Sequence, residues 1–308
     1  MRRKGVEKRG KWSSILIMKK YWLLILISNA SFGSTLNVGL VGQYRFDNGT
    51  AEDTSGNNNN GTAFNVTTSS GIQGGALRFN GANSIVKIGT LIPQYTTSGT
   101  IFSWYRANPN PDLSIKDPYN LIAASYQNII SQNRSQGVHS PGLFLTIWDQ
   151  NYLIDQANGF NPAGMKVRAG FSDVYTGNTS YHNEYVNSTA PAVGLDGEWH
   201  SIATTLLSDS TGKSLKVFFD GSLVGSLNFG NPTVESNTNA EFFIGGSFEH
   251  SIPDSYFNGD IDNVHVYDRT LSDTEVYQLH LATAPEPSAL SLLAVGLGVV
   301  LRRRRRTV

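Results

Sequence analysis

Apolar and polar residues alternate in short runs between residues 36 and 282. This two-residue period is typical of β-strands that bury one face. The clearest run is residues 215–227, LKVFFDGSLVGSL, in which two β-prone stretches flank Asp220 and Gly221. Because that pair suits the positive φ angles of a tight turn, the run predicts a β-hairpin.

Residues 99–107, GTIFSWYRA, predict a strand with Phe102 and Trp104 on one face and Ser103 and Tyr105 on the other. Further strands are predicted over residues 141–148, 198–207 and 240–248. The same part of the chain is rich in Gly, Asn, Ser and Thr, and it has no long helical pattern. The sequence therefore predicts an all-β fold.

One short helix is predicted over residues 271–279, LSDTEVYQL. Ser272 suits the N-cap, and Glu275 stands three positions later, which forms a capping box. Leu271 and Val276 occupy the two positions of a hydrophobic staple. We expect this helix to cover the edge of a β-sandwich after its final strand.

Charge is distributed unevenly along a chain whose formal net charge is zero. Residues 1–33 hold eight Lys/Arg and one acid, and residues 285–308 hold five Arg and one acid. The residues between them carry 11 basic and 22 acidic side chains, and this excess of acids argues against a nucleic acid partner. The absence of cysteine excludes disulfides, thiolate metal sites and cysteine nucleophiles.

Residues 1–33 have the pattern of an upstream extension followed by a secretory signal peptide that starts at Met18. Two lysines precede a short apolar run over residues 21–27, and small residues follow. Cleavage after Ala30 or after Gly33 fits this pattern. An N-terminal membrane anchor that is never cleaved is the alternative.

The C-terminal segment, residues 285–308, has three parts: a Pro-Glu-Pro triplet, an apolar run over residues 288–301, and five arginines. As a helix the apolar run would be about 21 Å long, which is short for a bilayer core of about 30 Å. The order of the three parts is similar to the PEP-CTERM sorting signal of Gram-negative bacteria. The sorting-signal residues are Pro285, Glu286, Pro287, Arg302, Arg303 and Arg304.

The PEP-CTERM resemblance implies an exosortase-type transpeptidase as partner and a transient stay in the inner membrane through the C-terminal helix. It also implies export to the cell envelope or to an exopolysaccharide matrix.

Several stretches of the middle region resemble the laminin-G-like, concanavalin A-like lectin/glucanase jelly roll. They occur in the family's order and cover residues 39–65, 74–89, 99–107, 196–203, 215–225 and 257–276. The resemblance implies one domain over residues 36–282, with two antiparallel sheets packed face to face.

A calcium site is a further expectation. In GDIDNVHVYDR, Asp262, Val264 and Val266 would share one strand face, so the carboxylate would lie at the margin of the core and need a cation or hydrogen-bond donors. By resemblance to laminin-G-like domains, the candidate ligands of a structural Ca²⁺ are Asp53, Asn57 and Asp262. The alternative is an Asx-turn loop at Asp53 and backbone N–H donors to Asp262.

No catalytic residue is predicted. Laminarinase-type glucanases carry Glu-x-Asp-x-x-Glu or Glu-x-Asp-x-Glu on one strand, and no Glu in this chain is followed by Asp two positions later. The six histidines show no metal-ligand spacing. Carboxylates that converge from different strands would still allow a carbohydrate-active enzyme, a glycoside hydrolase or polysaccharide lyase, which remains the alternative.

Saccharide binding is the positive hypothesis, because sugar sites combine aromatic side chains with amide and carboxylate groups. The aromatic residues of the irregular middle region are Tyr126, Trp148, Tyr152, Tyr175 and Tyr181, whereas Trp104 and Trp199 are assigned to the core. The predicted function is an exported, non-catalytic β-sandwich that binds a polysaccharide or an extracellular protein. A structural matrix protein without a small ligand is a further alternative.

Overall fold

A computed structural model describes residues 35–91, 98–116, 124, 126–133, 142–149, 165–174, 181–188, 195–230, 241–249 and 252–285. The predicted signal peptide lies outside the described residues, as does the sorting signal except for Pro285. The chain divides into two compact units, residues 1–40 and 41–308. In the first unit a short turn is described, in which Val38 N–H donates to the Thr35 carbonyl.

The described strands follow one another along the chain. The first nine are β1 (Leu40–Tyr44), β2 (Thr62–Phe64), β3 (Thr67–Ser70), β4 (Gly75–Asn80), β5 (Ile85–Ile88), β6 (Ser98–Ala107), β7 (Tyr126–Asn133), β8 (Gly142–Asp149) and β9 (Met165–Val174). The others are β10 (Tyr181–Asn187), β11 (His200–Asp209), β12 (Gly212–Phe219), β13 (Ser222–Phe229), β14 (Glu241–Ile244), β15 (Ser247–Glu249), β16 (Ile252–Asp254) and β17 (Asn258–Tyr267). A helix, α1 (Asp273–Thr283), follows β17.

These strands form two large antiparallel sheets and one two-stranded ribbon. The eight-stranded sheet has the order β13-β12-β11-β6-β17-β4-β3, with β1 also paired to β17. The seven-stranded sheet has the order β10-β9-β8-β7-β14-β5-β2, and β15 pairs with β16.

The core lies between the two large sheets, and each sheet contributes one face to it. Ile101 and Ile202 of the eight-stranded sheet belong to the same buried apolar cluster as Leu145 and Val167 of the seven-stranded sheet. The prediction of an all-β, two-sheet antiparallel sandwich is therefore confirmed.

The predicted β-hairpin forms between β12 and β13. Asp220 and Gly221 connect the strands with φ angles of 46° and 72°, which is the left-handed conformation that tight hairpin turns require. The Asp220 carboxylate also accepts a hydrogen bond from Ser201 N–H at 2.9 Å, so the turn is tied to the neighbouring strand.

Helix α1 lies against the outer face of the eight-stranded sheet. The predicted capping box is present: Ser272 Oγ accepts from Glu275 N–H, and the Glu275 carboxylate accepts from Ser272 N–H at 2.9 Å. At the other end, Trp104 Nε1 donates to Thr283 Oγ1 at 2.7 Å. Phe102 and Trp104 therefore share the face beneath the helix, as predicted. No helix in the described part of the chain is long and apolar enough to cross a membrane.

Strand β17 departs from the prediction because it contains a β-bulge. Asp262 lies opposite Trp104 and His265 lies opposite Phe102, so the two residues between Asp262 and His265 oppose Ser103 alone. Asn263, the first of the two, has φ 47°, a conformation that asparagine adopts more readily than most residues.

The bulge inverts the side-chain alternation along the strand. Val264 and Val266 point into the core, whereas Asp262 lies in register with Trp104 on the opposite, helix-covered face. The expectation that Asp262 shares a face with the two valines is therefore wrong.

Candidate functional site

The outward face of the seven-stranded sheet carries a group of polar and aromatic side chains. In β8, Leu143, Leu145 and Ile147 belong to the core, so Thr146 and Trp148 point away from it. We call this group the Trp148 surface, and it consists of Tyr126, Asn128, Thr146, Trp148, Lys166, Arg168 and Asn187.

Strand register brings these side chains together from four strands. Trp148 in β8 lies directly between Tyr126 of β7 and Lys166 of β9. The adjacent row contains Asn128, Thr146, Arg168 and Asn187, one from each of β7, β8, β9 and β10. Directly opposed residues share a face, so the seven side chains form one continuous patch.

Trp148, Arg168 and Asn187 are held in a fixed arrangement. The guanidinium carbon of Arg168 lies 3.3 Å from the centroid of the Trp148 ring, within the range of a cation–π contact. Asn187 Oδ1 accepts hydrogen bonds from Trp148 Nε1 at 3.0 Å and from Arg168 Nε at 3.1 Å. In the part of the chain that the structure describes, no partner is recorded for the Asn187 Nδ2 donor.

The floor of the Trp148 surface is buried and polar. Thr146 is fully buried and donates a hydrogen bond to Asn128 Oδ1. On the same outward face, the Phe144 ring lies over Gly170, where a Cβ atom would approach the ring to 1.9 Å. Glycine at this position thus allows an aromatic ring to lie flat against the backbone beside the patch.

Chemically, the Trp148 surface can present an indole ring, an oriented amide and two cationic side chains to a polar ligand. Aromatic rings contact the apolar C–H faces of sugars, while amide and guanidinium groups donate to hydroxyl or carboxylate oxygens. A saccharide, particularly one with an acidic group, fits this donor set.

The sequence-predicted aromatic residues have different outcomes. Tyr126 and Trp148 lie on strands rather than on loops. Tyr181 lies in β10, and its side chain is not among those that the structure describes. Tyr152 and Tyr175 lie outside the described residues. Trp104 is buried as expected. The assignment of Trp199 to the core is wrong, because its side chain is only partly buried and contacts Arg106 on the outer face of the other sheet.

Asp53, the first candidate calcium ligand, is surrounded by backbone donors. Its carboxylate accepts N–H hydrogen bonds from Gln43, Ser55 and Asn59, each at 2.9 Å. Although burial raises the pKa of Asp53, hydrogen bonds from Ser55, Gln43 and Asn59 lower it below its ordinary value. Asn57 is exposed, and its side-chain amide donates to Ser55 Oγ at 3.0 Å.

Asp262 is fully buried and is also bound by backbone donors. It accepts from Asn263 N–H at 2.6 Å, Ile72 N–H at 2.9 Å and Gln73 N–H at 3.3 Å. Burial is the largest effect on this carboxyl and raises its pKa to about 7, against the lowering effect of these donors.

The carboxylates of Asp53 and Asp262 are each bound by backbone N–H donors. The backbone donors to Asp53 and those to Asp262 come from different segments, and this arrangement corresponds to the alternative of an Asx-turn loop and a hydrogen-bonded carboxylate. Within the described residues, no group of three or more His, Asp and Glu side chains could hold a metal ion. Calcium binding stays a prediction.

A serine of β11 and a histidine of α1 lie within hydrogen-bond distance of each other. Ser201 Oγ is 2.8 Å from His280 Nδ1, a distance typical of nucleophile–base pairs. Ser201 is only 1% exposed, however, and His280 is stacked on Trp104 with 5.2 Å between ring centroids. His280 therefore packs against Trp104, and the buried Ser201 hydroxyl is not accessible to a substrate.

A cleft of about 560 Å³ lies at the start of α1. Its walls are rich in hydroxyl groups, and it is lined by Thr205, Leu207, Ser214, Lys216, Thr270, Leu271, Ser272, Asp273, Thr274 and Glu275. Lys216 and Asp273 form an ion pair across it at 2.6 Å. Because this cleft has no aromatic wall, the Trp148 surface is the stronger candidate for binding a sugar.

The sequence placed Tyr126 and Trp148 among five aromatic residues of the middle region without assigning any of them to a binding site, and it gave no signal for Arg168 and Asn187. The alternation of apolar residues through Leu143, Leu145 and Ile147 already indicates that Trp148 points away from the core. The pairing of Arg168 with Trp148 depends on strand register, which local sequence does not specify.

Solved structures with a similar fold include binding domains of toxins. The binding domain of a paraclostridial mosquitocidal protein matches with a TM-score of 0.56 and 15% identity, over 80% of this chain and 53% of that one. The receptor-binding domain of botulinum neurotoxin type G matches with a TM-score of 0.51 and 17% identity, over 79% and 51%.

The binding domain of botulinum neurotoxin DC, solved in complex with SialylT, matches with a TM-score of 0.50 and 13% identity, over 80% and 52%. This chain thus spans about half the length of these three domains. No curated protein sequence matches it. The profile described as the concanavalin A-like lectin/glucanases superfamily, of the laminin-G type, matches residues 80–277. The chain belongs to the concanavalin A-like lectin/glucanase superfamily.

Proposed function

We propose that this protein is an exported, non-catalytic β-sandwich that binds carbohydrate through the Trp148 surface. The observation that carries the proposal is the arrangement in which Asn187 orients both Trp148 and Arg168. A ligand that meets such a preorganised surface does not have to order the side chains itself, so less of the binding free energy is lost. The binding domains of the toxins support this proposal at the level of fold.

The chemistry of the surface favours binding over hydrolysis. Glycoside hydrolysis needs two carboxyl groups on either side of the scissile bond. The Trp148 surface, as defined by its seven residues, contains amide, hydroxyl, aromatic and cationic groups and no carboxylate. Such groups recognise a sugar without protonating its leaving group.

The proposed location is the cell envelope or the exopolysaccharide matrix of a Gram-negative bacterium. Support comes from the signal-peptide pattern of residues 1–33 and from the three-part C-terminal segment, residues 285–308. Under this proposal an exosortase-type transpeptidase processes the tail, and the inner membrane is an intermediate stop.

The proposal is tested by glycan binding of the secreted chain and two alanine variants. Trp148→Ala removes the indole, and Phe64→Ala removes an aromatic ring that is 47% exposed on β2 as a matched control. We expect the wild type and Phe64→Ala to bind the same glycans on an array, and Trp148→Ala to lose roughly tenfold or more in affinity by calorimetry.

Two outcomes would contradict the proposal. If no glycan binds the wild type, including the exopolysaccharide of the producing organism, carbohydrate recognition is wrong and a protein ligand or a structural role remains. If the wild type releases reducing ends from a bound glycan, the protein is an enzyme on the same fold.

A further inference from the structure

A second cluster of cationic and aromatic side chains lies on the outer face of the eight-stranded sheet. At its centre is Asp260 of β17, which is only 2% exposed. Its carboxylate accepts hydrogen bonds from Arg78 at 2.8 and 3.1 Å, from Arg106 at 3.0 and 2.7 Å, and from Ser69 Oγ at 2.7 Å. One buried carboxylate thus holds two guanidinium groups side by side.

Strand register explains why these residues meet. Asp260 lies directly opposite Arg106 of β6 on one side and directly opposite Arg78 of β4 on the other. Trp199 precedes β11, and the guanidinium carbon of Arg106 lies 4.9 Å from its ring centroid. We call these four residues the Arg78–Arg106 surface.

The cluster keeps one net positive charge and spare donors. Although burial raises the pKa of Asp260, hydrogen bonds from Arg78, Ser69 and Arg106 lower it below its ordinary value, so the carboxylate stays ionised. Each arginine uses Nε and Nη2 on Asp260, and among the described residues no partner is recorded for either Nη1. The Arg78 side chain is 56% exposed and that of Arg106 is 30% exposed.

The cluster contains one more arginine than is needed to neutralise Asp260. A single bidentate arginine already neutralises the charge of one carboxylate. The second arginine leaves the surface cationic, although the body of the chain carries twice as many acidic as basic residues. Preoriented guanidinium groups with free N–H donors are suited to planar carboxylate and to sulfate oxygens.

Amide groups extend the surface by one row. Asn258 of β17 lies opposite Asn80 of β4, and Asn108 Nδ2 donates to Asn258 Oδ1 at 3.3 Å. An aromatic ring, two arginines and neighbouring amides thus follow one another across the sheet. This mixture matches a polymer that carries both acidic groups and hydroxyl groups, which is the chemistry of an acidic polysaccharide.

We infer that the Arg78–Arg106 surface is a second ligand site, which binds the carboxylate or sulfate groups of an acidic polysaccharide. It lies on the sheet opposite to the one that carries the Trp148 surface. A chain with both sites joins two polysaccharide strands, one on each face of the sandwich. This joining rests on the proposed function, whereas the anion site itself does not.

The anion site is tested by calorimetry at low salt with polygalacturonate, a uronate polymer, using the full chain. Arg78→Gln removes one exposed guanidinium and leaves Asp260 paired with Arg106. Arg45→Gln is the matched control, because Arg45 is a similarly exposed arginine that pairs with Asp47 and not with Asp260. We expect roughly tenfold weaker binding for Arg78→Gln and no change for Arg45→Gln. Equal affinities of the two variants for polygalacturonate, and also for dextran sulfate, would overturn the proposal.

Asp260→Asn separates a built site from simple charge attraction. This variant makes the surface more positive by one charge but removes the group that positions both guanidinium ions. We expect weaker binding to polygalacturonate at an unchanged circular dichroism spectrum. Tighter binding would show that only net charge matters and would overturn the site. If Asp260→Asn unfolds, the comparison of Arg78→Gln with Arg45→Gln decides alone.

Three further polymers identify the anion. Dextran sulfate in place of polygalacturonate tells sulfate from carboxylate, and neutral dextran measures binding without an anionic group. We expect one of the two acidic polymers to bind at least tenfold more tightly than dextran, and Arg78→Gln to reduce this difference severalfold. Duplex DNA is the third polymer, and an Arg78-dependent affinity for DNA above that for both acidic polysaccharides would overturn the ligand class.

Cross-linking of polysaccharide chains by the protein is measured as the increase in turbidity of a polysaccharide solution when protein is added. We expect the wild type to raise it, and Trp148→Ala and Arg78→Gln each to bind polymer without raising it. If Trp148→Ala alone changes glycan binding, the second site is wrong and the proposed function stands. If Arg78→Gln alone changes it, the proposed function fails and the anion site stands.

Discussion

Gln43 Nε2 lies 2.8 Å from His265 Nε2, beneath the outer surface of the eight-stranded sheet. The other ring nitrogen, Nδ1, is 3.0 Å from the Asn263 carbonyl oxygen, which can only accept. The amide nitrogen of Gln43 can only donate, and its Oε1 is engaged by the Thr54 hydroxyl. His265 is therefore neutral, with its proton on Nδ1.

We predict that His265 makes the protein less stable in acid. Burial lowers the pKa of this imidazole from 6.5 to about 4. The unfolded chain takes up a proton below about pH 6.5 and the folded chain does not, so stability is lost as pH falls from 6.5 towards 4. The melting temperature of His265→Gln, relative to wild type, should rise across this window as pH falls. A constant difference between the two proteins would refute the assignment.

We predict the opposite slope for Asp262. Burial raises the pKa of this carboxyl to about 7, so the folded protein keeps a proton that the unfolded chain releases near pH 4. The stabilisation is fully present below pH 4 and is lost as pH rises through 7. Asp262→Asn, which mimics the protonated acid, should gain in melting temperature relative to wild type between pH 5 and pH 8. A difference that does not depend on pH would show that Asp262 is ionised throughout.

The hairpin turn predicts a cost for a side chain at Gly221. Its φ angle is 72°, and a Cβ atom would lie 3.0–3.1 Å from Tyr277 and His280 of the helix. Left-handed backbone costs an alanine roughly 1–2 kcal/mol, so Gly221→Ala should lower the melting temperature by about 2–8 °C. Gly230→Ala is the control, because nothing lies within 4 Å of its Cβ position. Equal melting temperatures for the two variants would contradict the turn geometry.

Chelation tests the calcium hypothesis. Under the alternative in which backbone N–H groups alone bind the carboxylates of Asp53 and Asp262, the melting temperature is the same in excess calcium and in excess chelator. A decrease of several degrees in chelator that Asp53→Asn abolishes would instead establish a calcium site at the 53–61 loop.

Local signals in the sequence predicted local structure well. The Asp220-Gly221 turn and the Ser272–Glu275 capping box are each formed by residues that are close in the chain. Both can therefore be predicted from a short stretch of sequence. The order of strands matched a known family, and the two-sheet sandwich followed from it.

Contacts that depend on register were not predictable in the same way. Arg78 and Asp260 are 182 residues apart, and Arg168 meets Trp148 only because β8 and β9 pair in one specific alignment. The bulge at Asn263 was also missed, since a single asparagine does not distinguish a regular strand residue from one with positive φ.

Strand β17 can lose a residue at the bulge without exchanging the environments of its residues, but not elsewhere. Deleting Asn263 would restore strict alternation and leave Asp260 and Asp262 on the outer face and Val264 and Val266 in the core. Deleting a residue on either side of the bulge would instead turn part of the strand over, so that carboxylates face the apolar interior or valines leave it. Length variation that a working protein tolerates in this strand should therefore be confined to the bulge.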